Sequence, residues 1–380
     1  MNLLFVGTSP RVGGAETHFV ALARAMSRSG HHVVALVHPQ GWIRQNLADG
    51  EIEVRTARLR NVVDLRGYVG ILRAARHCRA DLIVGDFGKE YWPLLILGRL
   101  LRIPVALFRH RIPPMHRLSG YLVPRLADHF VAVSNYARRI YIEQGAPAER
   151  VDVLYNPIDT AAHRPDPRRR AALLQQLGLA AEDIVLGYVG RIHGGKGVFT
   201  LFEAACQAMR TEPRLHCVWL GDGLGMAELR ERLRALDPAL ARRHRLTGWI
   251  DDASPYYNVF SILALPSTMP EAFGRVLVEA QASGTPVLGS AIGGIPETLE
   301  PGVTGLLLPP GDIAAWREGI LTLCDTDCRQ RLAENGREFV AQRFSEQAVA
   351  AAFLRLVKQP PTSASPHEAW RTSGIHRRHH

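Results

Sequence analysis

Cysteine is scarce. The 380 residues contain five, Cys78, Cys206, Cys217, Cys324 and Cys328. The count is odd, and most of them fall inside segments patterned as helix or strand. That argues against a disulfide framework and for reduced, buried thiols in a cytosolic protein. Cys324 and Cys328 are spaced to share one helix face, but no histidine pair is spaced to complete a zinc site with them. Long apolar runs are also missing. The best candidate, PLLILGRLLRIPVALF, is cut by Arg99, Arg102 and Pro104, so no transmembrane helix is expected. The opening MNLLFVGTSP has no basic n-region and reads directly as a strand, so no signal peptide is expected.

Acidic residues are in deficit: 36 Asp and Glu against 46 Lys and Arg give a formal charge of +10. A basic surface suits polyanions. Much of the excess lies around Arg99, Arg102, Arg109, Arg111, Arg117, Arg125, Arg138 and Arg139. No basic stripe interleaved with aromatics is present, so nucleic acid is not the expected partner. An anionic membrane leaflet fits better, and the expected location is cytoplasmic, peripheral on the inner face of the cytoplasmic membrane.

What is present is alternation. Short apolar runs (NLLFVGTS, HVVALVH, ADLIVGD, PVALFRH, HFVAVS) alternate with helical stretches, and after NPIDTAAHRPDPRRR the alternation restarts with IVLGYVGR. Near-continuous apolar strands separated by helices imply parallel sheets covered on both faces. The expected fold is α/β, with two doubly wound, Rossmann-like domains facing a cleft. The expected domains are 1–158 and 171–344 with a linker at 159–170. A helix at 345–358 is expected to cross back to the first domain, followed by a disordered basic tail at 359–380. In open parallel sheets ligands bind beyond the carboxyl ends of the strands, so those ends are where chemistry is sought.

Past the first strand, SPRVGGAE offers Gly13 and Gly14, which let a ligand approach the backbone before a helix N-terminus. Past the first strand of the second domain, GRIHGGKG puts Arg191 and Lys196 around a glycine pair, a set suited to a pyrophosphate. It is not a Walker A loop, because a glycine follows the lysine. WLGDGLG imitates a dinucleotide fingerprint, but its third glycine is misplaced and no ribose-binding acid follows. Asp325 and Asp327 in CDTDC have metal-binding spacing, yet they sit between late helices, where capping is the expected role. LPSTMPEAFGRVLVEAQASG places Glu271 in a loop and Glu279 inside the following helix. The amides of Phe273 to Arg275 lie at the start of that helix, where an anion gains from the dipole. Glu279 is suited to accept hydrogen bonds from a ribose diol.

These motifs, in order with VSNYA, NPID, GDG, GWIDD, GGIPE and TGLLLPPGD, resemble glycosyltransferase family 4, the retaining enzymes of GT-B architecture, over about residues 1 to 357. Enzymes of bacterial cell-surface polysaccharide and lipopolysaccharide synthesis are the relatives implied. The resemblance implies a nucleotide-diphospho-sugar as co-substrate, with a UDP-sugar favoured and GDP-mannose an option, and no metal or other cofactor. In the implied roles, Arg191 and Lys196 neutralise the diphosphate. Glu279 binds ribose, while Glu271 with Ala272, Phe273 and Gly274 holds the sugar. The main chain at Trp249 and Ile250 reads the base. Gly13 and Gly14 approach the phosphates from the other domain, and His110 lies near the sugar. The first half matches little beyond GGAE. Acceptor contacts are expected there from Asp86, Lys89, Glu90, Arg109 and Arg111, toward a glycan or lipid-linked acceptor. Two other readings compete: a sugar-nucleotide epimerase of the same architecture, and a non-catalytic, basic membrane- or nucleic-acid-binding protein.

Overall fold

The structure is a computed structural model, and it describes residues 1–10 and 13–358. The basic tail expected at 359–380 lies outside the described residues, as do Arg11 and Val12. The chain divides into two compact units, residues 1–157 joined by the segment from Glu346, and Ile158–Ser345.

The first unit holds a seven-stranded sheet of β1 (Asn2–Gly7), β2 (His32–Val37), β3 (Glu53–Thr56), β4 (Leu82–Gly85), β5 (Val105–Arg109), β6 (His129–Ala132) and β7 (Val151–Val153), in the order β3-β2-β1-β4-β5-β6-β7. All its pairings are parallel. The inner strands β4 and β5 are buried along their whole length, and the edge strand β3 is not. This is why the inner strands read as continuous apolar runs while β3 (EVRT) does not. One face is covered by helices Gly14–Arg28 and Glu346–Lys358, and the other by Leu65–His77, Tyr91–Leu101, Arg117–Leu126 and Asn135–Glu143. The last helix, Glu346–Lys358, is part of this unit's core. Phe353 is fully buried with its ring 5.9 Å from that of Phe108, and Glu346 receives Arg28 at 2.6 Å. A buried phenylalanine contributes about 1.5–3 kcal/mol.

The second unit holds β8 (Ile184–Val189), β9 (Leu215–Leu220), β10 (His244–Gly248), β11 (Ile262–Leu265), β12 (Val287–Ser290) and β13 (Gly305–Leu308), in the order β10-β9-β8-β11-β12-β13. These too pair only in parallel. Tyr188, Phe202, Trp219 and Trp316 fill one side of the sheet, and Tyr257, Phe260 and Leu277 the other. Helix starts are capped as the residue types dictate. Asp166 accepts from the amides of Arg168 and Arg169 with Pro167 at the first turn, so this helix begins inside the stretch expected to be linker. Asp325 accepts from the amide of Cys328 and caps the helix Thr326–Arg343, which is the capping role expected of it.

Each sheet reverses its winding once, between β1 and β4 in the first unit and between β8 and β11 in the second. The loops beyond those strand ends are where a doubly wound sheet places ligands.

Candidate active site

In the second unit two loops meet past β8 and β11. The first turns through Gly194–Lys196 as a single 3₁₀ turn, with the His193 ring accepting from the Gly195 amide at 3.1 Å. The second loop is stitched to it: the amides of Thr268 and Met269 both donate to the Gly195 carbonyl, at 3.2 and 3.1 Å. The result brings Lys196 Nζ to 2.8 Å from Glu271 Oε2, with both side chains about one-fifth exposed. Ser267 donates its hydroxyl to the other oxygen of Glu271. The main chain of Glu271 is held as well, its carbonyl accepting from Gly294 at 2.8 Å. Arg191, in the same loop as Lys196, is exposed. Two cations and a largely buried carboxylate thus stand at the switch point of the second sheet.

After Ala272 and the buried Phe273, Gly274 adopts a left-handed conformation and opens the helix Arg275–Ala282. Glu279 lies one turn in. Arg275 Nε donates to its Oε1 at 2.7 Å, and the Tyr257 hydroxyl to its Oε2 at 2.6 Å. Burial pushes this carboxyl up, but Arg275, the nearby His163 and the Tyr257 hydroxyl outweigh it and hold it below the ordinary carboxylate range. Glu279 is therefore a fixed, ionised acceptor, and each oxygen keeps a second lone pair for a ligand hydroxyl. Sequence reasoning missed Tyr257, Arg275, His163 and Ser267 as supports. Arg275 was within reach, since a residue four before a glutamate on a helix faces it. Tyr257, with the His163 ring edge-on to its own at 5.6 Å, comes from distant chain and had no local signal. Trp249 is mostly exposed, its indole donating to Asp251 at 3.0 Å, and Ile250 is half-buried. Both follow β10, two strands from β8.

In the first unit the expected residues part company. Gly13 is extended and Gly14 begins the helix Gly14–Arg28; a β-carbon on Gly14 would meet nothing within 4 Å. Asp86, just past β4, and His110, just past β5, do come together. Asp86 Oδ1 lies 2.8 Å from His110 Nε2 and 2.8 Å from Nδ1 of His18, which the sequence reading did not single out. The other expected acceptor contacts turn inward, apart from Arg111. Glu90 is fully buried, accepting from the Thr8 amide and hydroxyl at 2.6 Å, and burial pushes its carboxyl up to about 8. Lys89 donates to the carbonyls of Thr8 and Leu59 at 2.8 and 3.1 Å. Arg109 is buried, donating to the Pro113 carbonyl with its guanidinium 5.4 Å from the Tyr141 ring. Lys89, Glu90 and Arg109 thus brace loops from inside the unit, where surface contacts were expected. Arg111 alone of this group is exposed.

Residues 12–162 match the family model described as Glycosyltransferase Family 4, and residues 183–326 the one described as Glycosyl transferases group 1. The lipopolysaccharide core biosynthesis glycosyltransferase LpsE of Rhizobium meliloti (strain 1021) is 28% identical, over 92% of this chain and 97% of its own. A D-inositol 3-phosphate glycosyltransferase of Kineococcus radiotolerans is 30% identical, over 94% of each chain. Other D-inositol 3-phosphate glycosyltransferases align over only 45–58% of their own length. Among solved structures, Anabaena Alr3699/HepE in complex with UDP-glucose superposes with a TM-score of 0.79 at 25% identity, covering 94% of this chain and 99% of that one. With two parallel, Rossmann-like sheets and these relatives, the chain belongs to glycosyltransferase family 4 and is a glycosyltransferase of GT-B architecture.

Proposed function

We propose that this enzyme moves a sugar from a nucleotide-diphospho-sugar, a UDP-sugar in the first instance, to a glycan or lipid-linked acceptor of bacterial surface polysaccharide or lipopolysaccharide. The observation that carries the reading is the Lys196–Glu271 pair at 2.8 Å, beside Arg191 and just ahead of the helix opened by Gly274. Lys196 and Arg191 would neutralise the diphosphate as it leaves, the task a metal performs elsewhere. Glu271 would take sugar hydroxyls and Glu279 the ribose. Transfer would keep the anomeric configuration by attack on the face the diphosphate leaves, the departing phosphate accepting the acceptor's proton. UDP-glucose bound to Alr3699/HepE and the part of LpsE in lipopolysaccharide core biosynthesis support the donor and acceptor classes.

The test is a thermal-shift panel of nucleotide sugars in EDTA, with product configuration read by NMR. A bound donor raises the melting temperature as RT ln(1 + [L]/Kd). The expected result is one donor class that shifts the wild type and not Glu279→Ala, and a product with the donor's configuration. Shifts that appear only with added Mg²⁺, or an inverted product, would overturn the metal-independent, retaining mechanism.

The acceptor would be met at an anionic bilayer. No helix among the described residues is long and apolar enough to cross a membrane. The adjoining helices Leu65–His77, Tyr91–Leu101 and Arg117–Leu126 expose Leu65, Val69, Ile96, Leu100, Leu118 and Tyr121 on the outside of one sheet face, with Val63 in the turn before the first of them, interleaved with exposed Arg66, Arg73 and Arg117 and with Arg102 at the end of the second. Apolar side chains that enter the headgroup layer, with arginines for its charge, are what a peripheral surface needs. The protein should sediment with phosphatidylglycerol vesicles and less with phosphatidylcholine ones, and Leu65→Asp with Leu118→Asp should weaken this. Equal sedimentation with both lipids would defeat the proposal.

A further inference from the structure

His18, Asp86 and His110 converge from three elements at the switch point of the first sheet. Asp86 follows β4, His110 follows the adjacent β5, and His18 comes from the helix Gly14–Arg28. The side chains of His18 and Asp86 are fully buried, and that of His110 keeps 11% exposure. One oxygen, Asp86 Oδ1, lies 2.8 Å from a nitrogen of each ring. Burial pushes the Asp86 carboxyl up, but the two imidazoles outweigh it and hold it below the ordinary range. An ionised carboxylate only accepts. Each ring must therefore turn an N–H toward it, His18 through Nδ1 and His110 through Nε2. The rings sit 4.6 Å apart. Phe108 fixes the planes further, stacked at 14° to His110 and 4.7 Å from His18.

We propose that Asp86, with His18 as its second partner, is a positioning residue that locks His110 as the Nε2–H tautomer and leaves Nδ1 as the one nitrogen offered to a ligand, as a hydrogen-bond acceptor. The group it takes is a hydroxyl, a donor that every sugar carries, and not a carbonyl or a carboxylate. The tautomer follows from the geometry of this unit alone; its effect on turnover rests on the transferase reading above. The three side chains place their ligand atoms within 4.8 Å of one another, close enough to consider a cation. Two contacts of hydrogen-bond length to one shared oxygen are accounted for by protons on the ring nitrogens.

The first measurement needs no substrate. Long-range ¹H–¹⁵N spectra of the histidine-labelled wild-type protein, with the His110 ring assigned by its loss in His110→Gln, should show a protonated Nε2 and a bare Nδ1. A proton on Nδ1, or a stoichiometric metal in the purified protein that His110→Gln loses, would overturn the proposal. The second measurement is kinetic. Asp86→Asn keeps the shape but removes the negative charge, so both ring N–H groups lose a charge-assisted acceptor. It should lower kcat roughly tenfold to a hundredfold, the worth of one positioned hydrogen bond, with little change in donor KM. In the His110→Gln background it should add almost nothing, because coupled residues are not additive. The same loss in both backgrounds would show that Asp86 does not act through His110. If no donor is turned over but the tautomer is as stated, the functional reading fails and the positioning assignment stands.

Discussion

Replacing Lys196 by alanine should lower kcat by about 10²–10³-fold, the usual cost of removing a group aimed at charge that develops in the transition state. Donor KM should move far less. The diphosphate already carries charge when the donor binds, but it gains more as the glycosidic bond breaks, and only interactions that strengthen along that path raise turnover. The structure adds a second reason. Lys196 is held 2.8 Å from Glu271, so among the described residues its loss leaves that carboxylate with the Ser267 hydroxyl as its side-chain partner, beside the proposed anionic leaving group. Lys196→Arg should not rescue, since a planar guanidinium cannot replace a compact ammonium on so short a loop. The check is steady-state kinetics with saturating acceptor. Turnover within about threefold of wild type would remove Lys196 from the leaving-group site and leave structural pairing as its role.

Much of the fold was legible because both sheets are parallel and buried on both faces. Strands such as ADLIVGD and FSILALPS then announce themselves as apolar runs. The same logic pointed to the strand-end loops, because Asp86, His110, Arg191 and Glu271 all follow apolar runs within a few residues. What each side chain does there was less legible. Glu90 sits four residues from Asp86 in sequence and reads as one more polar residue of a surface loop. It is fully buried instead, because Thr8, 82 residues away, offers it an amide and a hydroxyl. Arg109 likewise turns to its own loop and to Tyr141. Local patterning cannot show which distant donor will satisfy a charge. The supports of Glu279 divide along the same line: Arg275 is written in helical spacing, while Tyr257 depends on how the element at 254–257 packs against the helix Arg275–Ala282.

Gly197→Ala should be the most destabilising small substitution in the candidate donor loop. Gly197 has φ +67° and both ends the turn Gly194–Lys196 and starts the helix Val198–Thr211. An alanine in that left-handed region costs about 1–2 kcal/mol from sterics alone. Here its β-carbon would also fall within the van der Waals radius of the Pro266 carbonyl oxygen, which is backbone and cannot swing away. The loop after β11 would have to retreat, and the bonds from Thr268 and Met269 to the Gly195 carbonyl tie that loop to the turn carrying Lys196. A loss of about 3 kcal/mol or more belongs with the larger backbone effects. For a unit of this size it should lower the melting temperature by roughly 10 °C. Gly194→Ala is the control, three residues away on the same turn, where a β-carbon meets nothing within 4 Å and φ lies outside the left-handed range. It should melt close to wild type. If the two variants melted alike, the close approach at Pro266 would not be what holds Lys196 and Glu271 together.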